Sequence, residues 1–177
     1  MNALVFLLAL QVHCGVERWS VKTLTDPATQ SVVLKPVLAT VATLRSWPAP
    51  NPLPVARSAR ERQVYRMSVV VIGWKLEADQ DFHIVVADSG DLTHTMIVEI
   101  PSGACTVKTL AGIRVRIADA RATALKNLGR VSAKFRRFRV PVRATISGVA
   151  FFDKLHGQTG VAPNGIELHP VLGFTVP

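Results

Sequence analysis

A chain of 177 residues, 49% hydrophobic and 19% charged, is long enough for one ordinary domain and too apolar to be disordered over most of its length. A chain of that size buries about 68–70% of its unfolded surface, so folding requires neither a metal nor a disulfide. The 21 Lys and Arg against 12 Asp and Glu leave a formal charge of +9, which points to a polyanionic partner and is silent on fold. No apolar run reaches the roughly 18 residues of a spanning helix, so none is expected.

Residues 3–12 are an apolar run of secretory-leader length, too short to cross a bilayer and without a preceding Lys or Arg. The expectation is a signal peptide over residues 1–13, shortened at its start, and an exported mature chain. Cys14 and Cys105 are then most simply a disulfide, and the absence of any Cys-x-x-Cys excludes a zinc ribbon. Residues 17–23 read as a short strand-like piece. Asp26-Pro27 reads as an N-cap followed by proline at the first helical position, opening a short helix to about residue 34. Thr40 is placed to cap a second short helix over 41–46, and four prolines within residues 47–54 predict an extended connector. Residues 14–60 are thus expected to form an arm without a core of its own, and residues 61–177 a domain.

The domain opens with a long Val- and Ile-rich strand over 64–76, interrupted by Gly73. Turns at 77–81 and 89–91 bound a second strand over 82–87 and a third over 95–100. In the stretch 111–128, Ile113, Ile117, Ala120, Ala124 and Leu128 fall on one helical stripe, and Gly129 provides the stop. A fourth strand over 140–152 contains Gly148, and a fifth runs over 165–176. Three meandering strands, a helix and two strands is the order of an OB-fold. The predicted class is therefore mainly β with one or more helices: a five-stranded OB-fold-like barrel with a helix between strands three and four, plus an N-terminal arm. The strand glycines sit where a small barrel coils sharply.

Charge is uneven. Residues 106–143 carry eleven cations against the single acid Asp119, and the remainder of the chain is close to neutral. Lys134, Arg136, Arg137, Arg139 and Arg143 cluster where the helix exits, with Phe135 and Phe138 interleaved, a pattern suited to phosphate contact and base stacking. These five are the candidate ligand-binding residues, with nucleic acid or another polyanion as partner.

Two segments carry candidate chemistry. Asp79, Asp81 and His83 alternate at the turn between the first two strands, so an extended chain aims them to one side, and with Glu99 they form a candidate set for a divalent cation. The segment 151–170 supplies Asp153, His156, Asn164, Glu167 and His169 as candidate catalytic groups, with Glu167 and His169 on one face of the last strand. His156 and His169 are expected to approach one another, with Asp153 or Glu167 fixing a tautomer.

The string HGQTGVAPNGIELHPV, together with ERWSVKTLTD, DFHIVVAD and TMIVEIP, resembles a family of exported bacterial proteins. That resemblance spans nearly the whole chain from Cys14 and implies export without implying a reaction. Leu24 stands where the family pattern has glycine. A weaker resemblance is to thermonuclease-like OB-folds, in which acids at the positions of Asp81 and Glu99 bind calcium. Here His94 and Ser102 stand where that family has an arginine and a second glutamate. The leading expectation is an exported protein that binds an anionic polymer; the alternatives are a metal-dependent phosphodiesterase or nuclease, and a non-catalytic structural envelope protein.

Overall fold

Six strands build one sheet: β1 (Val33–Leu38), β2 (Gln63–Leu76), β3 (Phe82–Asp88), β4 (Asp91–Ile100), β5 (Arg136–Phe152) and β6 (Ile166–Thr175). This computed structural model describes residues 13–177, and the apolar leader run at 3–12 lies outside the described residues. Strand order is β1-β2-β3-β4-β6-β5, and a second pairing of β2 with β5 closes five strands into a ring of hydrogen bonds. The pairings β1–β2 and β4–β6 are parallel and the others antiparallel. Helix α3 (Ala111–Leu128) connects β4 to β5 and packs on β6 and β4. Its buried residues are the stripe read from the sequence, and they join the main core with Trp74, Ile84, Val98, Ile146 and Leu168.

Both strand glycines lie at breaks in register. Gly73 follows a shift in the pairing of β2 with β3 and β5, and Gly148 sits between two shifts in β5–β6. A side chain at Gly148 would meet the Pro170 carbonyl oxygen at 2.9 Å, so only glycine lets the two backbones come this close.

The arm departs from expectation in three places. Residues 17–23 are not a strand: α1 (Trp19–Lys22) is one helical turn, which allows adjacent Val21 and Lys22 both to be buried, whereas a strand would send them to opposite sides. The helix opened by Asp26 is only a 3-10 turn, Pro27–Ser31, with Asp26 accepting from the Ala28 N–H as the cap reading requires. The chain then forms β1, which the sequence conceals because Lys35-Pro36 interrupts it; an edge position tolerates that proline. Helix α2 (Val41–Arg45) is capped by Thr40 as expected. Leu24, Val32, Val41 and Leu44 all join the main core, so the arm packs on the ring rather than on itself. Two strands also begin earlier than their sequence suggests: β4 at Asp91 rather than 95, and β5 at Arg136 rather than 140. Backbone pairing of Arg136 with Trp74 and of Arg137 with Gly73 sustains β5 where its arginine side chains gave no strand signal.

A disulfide joins Cys14 to Cys105, with Cα atoms 5.6 Å apart, and fastens the start of the arm to the turn after β4. No helix among the described residues is long and apolar enough to cross a membrane. Closing 91 residues of chain corresponds to about 4.6 kcal/mol in the chain-entropy model. The Cys14→Ser/Cys105→Ser protein should therefore unfold in urea with a stability lower by about 2–4 kcal/mol. Gly148→Ala should cost about 1–3 kcal/mol in the same assay, through enforced separation of β5 from β6.

Candidate functional site

Alternation along the ring strands separates two surfaces. Phe82, Ile84, Val86, Val98, Ile100, Ile166 and Leu168 point into the main core, so His83, Glu99, Glu167 and His169 point outward. Outward is not exposed here. His83 and Glu99 are cross-strand partners, and β6 lies beside β4 with Glu167 opposite Ile97. Asp81 enters from the residue before β3, Lys22 from α1 and Asp153 from the residue after β5. All seven are buried. Arg121 of α3 fixes the approach of two of them by donating to the carbonyls of Gln80 and Ile100, each at 2.7 Å.

His169 lies at the centre. Its Nε2 is 3.4 Å from Asp81 Oδ2, and its Nδ1 is 3.1 Å from Glu99 Oε2 and 3.4 Å from Glu167 Oε1. Glu99 reaches both histidines, since its Oε1 is 3.1 Å from His83 Nδ1. The far side of His83 is settled by chemistry: Nε2 faces the Thr159 carbonyl at 2.9 Å, and a carbonyl only accepts, so Nε2 carries a proton. Lys22 Nζ stands 3.6 Å from Asp153 and 3.9 Å from both Glu99 and Glu167, near enough to offset charge and too far for hydrogen bonds.

The electrostatics follow from crowding. Four buried carboxylates, Asp81, Glu99, Asp153 and Glu167, surround one ammonium and two imidazoles. Burial and then the Glu99 charge push Glu167 up to about 7, and burial with Asp81 beside it pushes Asp79 up to about 6. Burial works against charge on His169, but Asp81, Glu167 and Glu99 outweigh it and hold the ring well above the ordinary imidazole range. Glu99 is held well below the carboxylate range despite its burial, by His169 and His83.

Glu61 shows how this fold treats a carboxylate that serves only as a fastener. It is fully buried and accepts from Arg18 at 2.7 and 3.1 Å, the Ser58 N–H at 2.7 Å and the Phe152 N–H at 3.0 Å. Every acceptor site of consequence is used. By contrast Asp81 Oδ2, Glu167 Oε1 and both His169 nitrogens are buried without an aligned hydrogen bond. Each such group costs about 1–3 kcal/mol, and four of them converge here around one imidazole.

The remaining predicted residues are dispersed. Asp79 lies in the β2–β3 turn, where its Oδ1 accepts from the Asp81 N–H. Asn164 is buried as a bracket, donating to the Leu44 and Trp47 carbonyls and accepting from Ile166. His156 is exposed in the 153–165 loop, whereas His169 is enclosed by Asp81, Glu99, Glu167 and the Phe151 ring. Lys134, Arg136, Arg137, Arg139 and Arg143 are exposed, the last four on β5 itself rather than on a helix exit loop. Phe135 packs against Val70, Ile72, Val85 and Ala87, and Phe138 against the main core, so the interleaved rings turn inward instead of presenting stacking faces. Lys22 and Glu77 carry no sequence signal; only the fold brings them to the cluster.

Comparison of the chain with family models, with curated proteins and with solved structures found no match. The geometry therefore stands on its own. Two sets, Glu77–His83–Glu99 and Asp81–Glu99–His169, each offer ligand atoms within 4.8 Å of one another, close to the spacing around a bound metal ion.

His83 gives a test of the network's charge. Burial lowers its affinity for a proton, but hydrogen bonds to Glu77 and Glu99 outweigh burial and raise it from 6.5 to about 9. Its stabilisation is complete below pH 6.5 and is lost as pH rises through about 9, because only the folded chain holds the proton in that window. Urea unfolding in chelator should show stability falling across that interval, and His83→Gln should remove part of the fall.

Proposed function

We propose that the protein is an exported OB-fold-like module that binds an anionic polymer along the first half of β5. Strand order supports the fold reading: a three-stranded meander, a helix and two strands, with the third and fifth ring strands parallel and the first and fourth closing the ring. The disulfide is in keeping with export.

The observation that carries the reading is uncompensated charge. Among the described residues Lys134, Arg136, Arg137, Arg139 and Arg143 are exposed and none takes part in a salt bridge, while every acid but Asp119 is drawn into other contacts. Exposed like charges on neighbouring residues of one strand repel each other, and a polyanion relieves that repulsion while releasing its counterions. With Phe135 and Phe138 turned inward, recognition rests on charge and strand spacing, not on stacked bases. Single-stranded nucleic acid and sulfated polysaccharide are therefore both suitable probes.

Arg136 also donates to the Leu128 carbonyl and stacks on Phe138, so it is spared in the test. Heparin and single-stranded DNA should bind at low ionic strength with affinity that falls steeply with salt. Replacing Arg137, Arg139 and Arg143 with Ser should weaken binding and reduce the single-strand log–log salt slope by about 2, at about 0.7 per lost phosphate contact. Unchanged affinity in that variant, or no binding at low salt, would show the strand to be merely a solvated surface.

A further inference from the structure

The cluster around His169, beside the C-terminal end of β5, is acidic, enclosed and incompletely bonded. Among the described residues Lys22 is the one permanent cation that faces all of Asp81, Glu99, Asp153 and Glu167, and it stands beyond hydrogen-bond distance from the three it pairs with. Arg121, the next candidate, spends its donors on two backbone carbonyls. A buried carboxylate oxygen, Asp81 Oδ2, is left facing a buried imidazole nitrogen that has no aligned partner, while the other Asp81 oxygen accepts from the Ser102 N–H at 3.0 Å.

We propose that Asp81, Glu99 and His169 hold one divalent first-row transition cation. The inference is independent of polyanion binding by β5. Their ligand atoms lie within 4.8 Å of one another, and bonds of about 2.0–2.2 Å bring two ligand atoms to no more than about 4.4 Å, so small side-chain rotations gather the set. Residue chemistry selects the ion. One imidazole with carboxylates suits zinc or manganese, whereas calcium and magnesium take oxygen alone.

His169 has what a ligand histidine needs on its second nitrogen as well. With the ion on Nε2, beside Asp81, the other nitrogen Nδ1 faces Glu167 Oε1 at 3.4 Å, a carboxylate outside the ligand set that accepts its proton and fixes the ring. The competing set, Glu77–His83–Glu99, lacks that vacancy of bonding. Glu77 is paired with Lys75 at 2.8 Å, and His83 is hydrogen-bonded at both nitrogens. Glu167, also orphaned at Oε1, is a further oxygen beside the proposed set. A cleft of about 360 Å³ lined by Trp19, Lys22, Asp79, Asp153 and His156 meets the cluster at Lys22 and Asp153.

The full chain, stripped with chelator and dialysed, should be titrated calorimetrically with Mn²⁺, Zn²⁺ and Ca²⁺, with stoichiometry taken by native mass spectrometry. One Mn²⁺ or Zn²⁺ per chain is expected, weakened about tenfold or more in Asp81→Asn and in His169→Gln. Joint replacement of the exposed His13, His94 and His156 by Gln should leave binding unchanged. Should the buried variants fail to fold, pulsed electron paramagnetic resonance of Mn²⁺ on that surface-histidine variant with His83→Gln added decides the matter, since His169 is then the one histidine left and its coordination gives a ¹⁴N coupling. The proposal is overturned if the folded chain takes up neither Mn²⁺ nor Zn²⁺, if only Ca²⁺ binds, if bound Mn²⁺ shows no ¹⁴N coupling, if folded Asp81→Asn binds like the wild type, or if removing the surface histidines abolishes binding.

Discussion

The short parallel pairing of β4 with β6 is the constraint on which both the fold and the cluster depend. It rests on two register positions, Ile97 with Glu167 and Val98 with Leu168, between segments about 70 residues apart in sequence. Without it the strands would form an open sheet and Leu168 would lack its place in the core. With it, the outward side chains of two remote strands become neighbours. Glu99 then faces His169 and Glu167, which no local pairing could arrange. α3 supports the join from the core side, with Ile117, Ala120 and Ala124 packed beneath the strands it spans.

Two buried polar systems sit within a few residues of each other and differ in kind. Arg18, Glu61, Arg57 and Asp26 form a network in which guanidinium donors meet carboxylates and backbone carbonyls, including a 2.9 Å bond from Arg18 to the Phe152 carbonyl and one of 2.9 Å from Arg57 to Asp26. Such a network resembles a latch: it fixes the arm and leaves the Glu61 carboxylate fully bonded. The Asp81–Glu99–His169 group has fewer aligned hydrogen bonds, and its carboxylates hold the His169 imidazole well above the ordinary range. Buried charge without full pairing is costly, and fold requirements alone do not explain its retention.

Much of the architecture was legible because burial imposes periodicity. The α3 stripe, the β2–β4 meander and the two capping residues Asp26 and Thr40 all follow from one-dimensional patterns. β1 was hidden because its six residues are all exposed and include Lys35 and Pro36, so neither alternation nor strand propensity marks it. The first half of β5 was hidden by its arginines. The candidate site was legible in halves. Asp81, His83 and Glu99 were grouped on one side of a turn, and Glu167 and His169 on the face of a strand, but joining the halves requires knowing that β4 and β6 are neighbours. Lys22 could not be found at all, since one lysine in a polar segment looks like any other until α1 is folded over the ring. Leu24, where the resemblance pointed to glycine, has a φ of 55°, a conformation glycine adopts freely and leucine only with strain.

The contacts of Arg18 carry an implication for when this chain can fold. Its guanidinium reaches a carbonyl 134 residues further along, and the ring itself closes only when β5 meets β2 and β6 meets β4. A chain still emerging from a ribosome can pair β2, β3 and β4, but it cannot close the ring before residues beyond 150 are available. Closure of the ring and fastening of the arm are therefore late events, completed only after the last strand has been delivered.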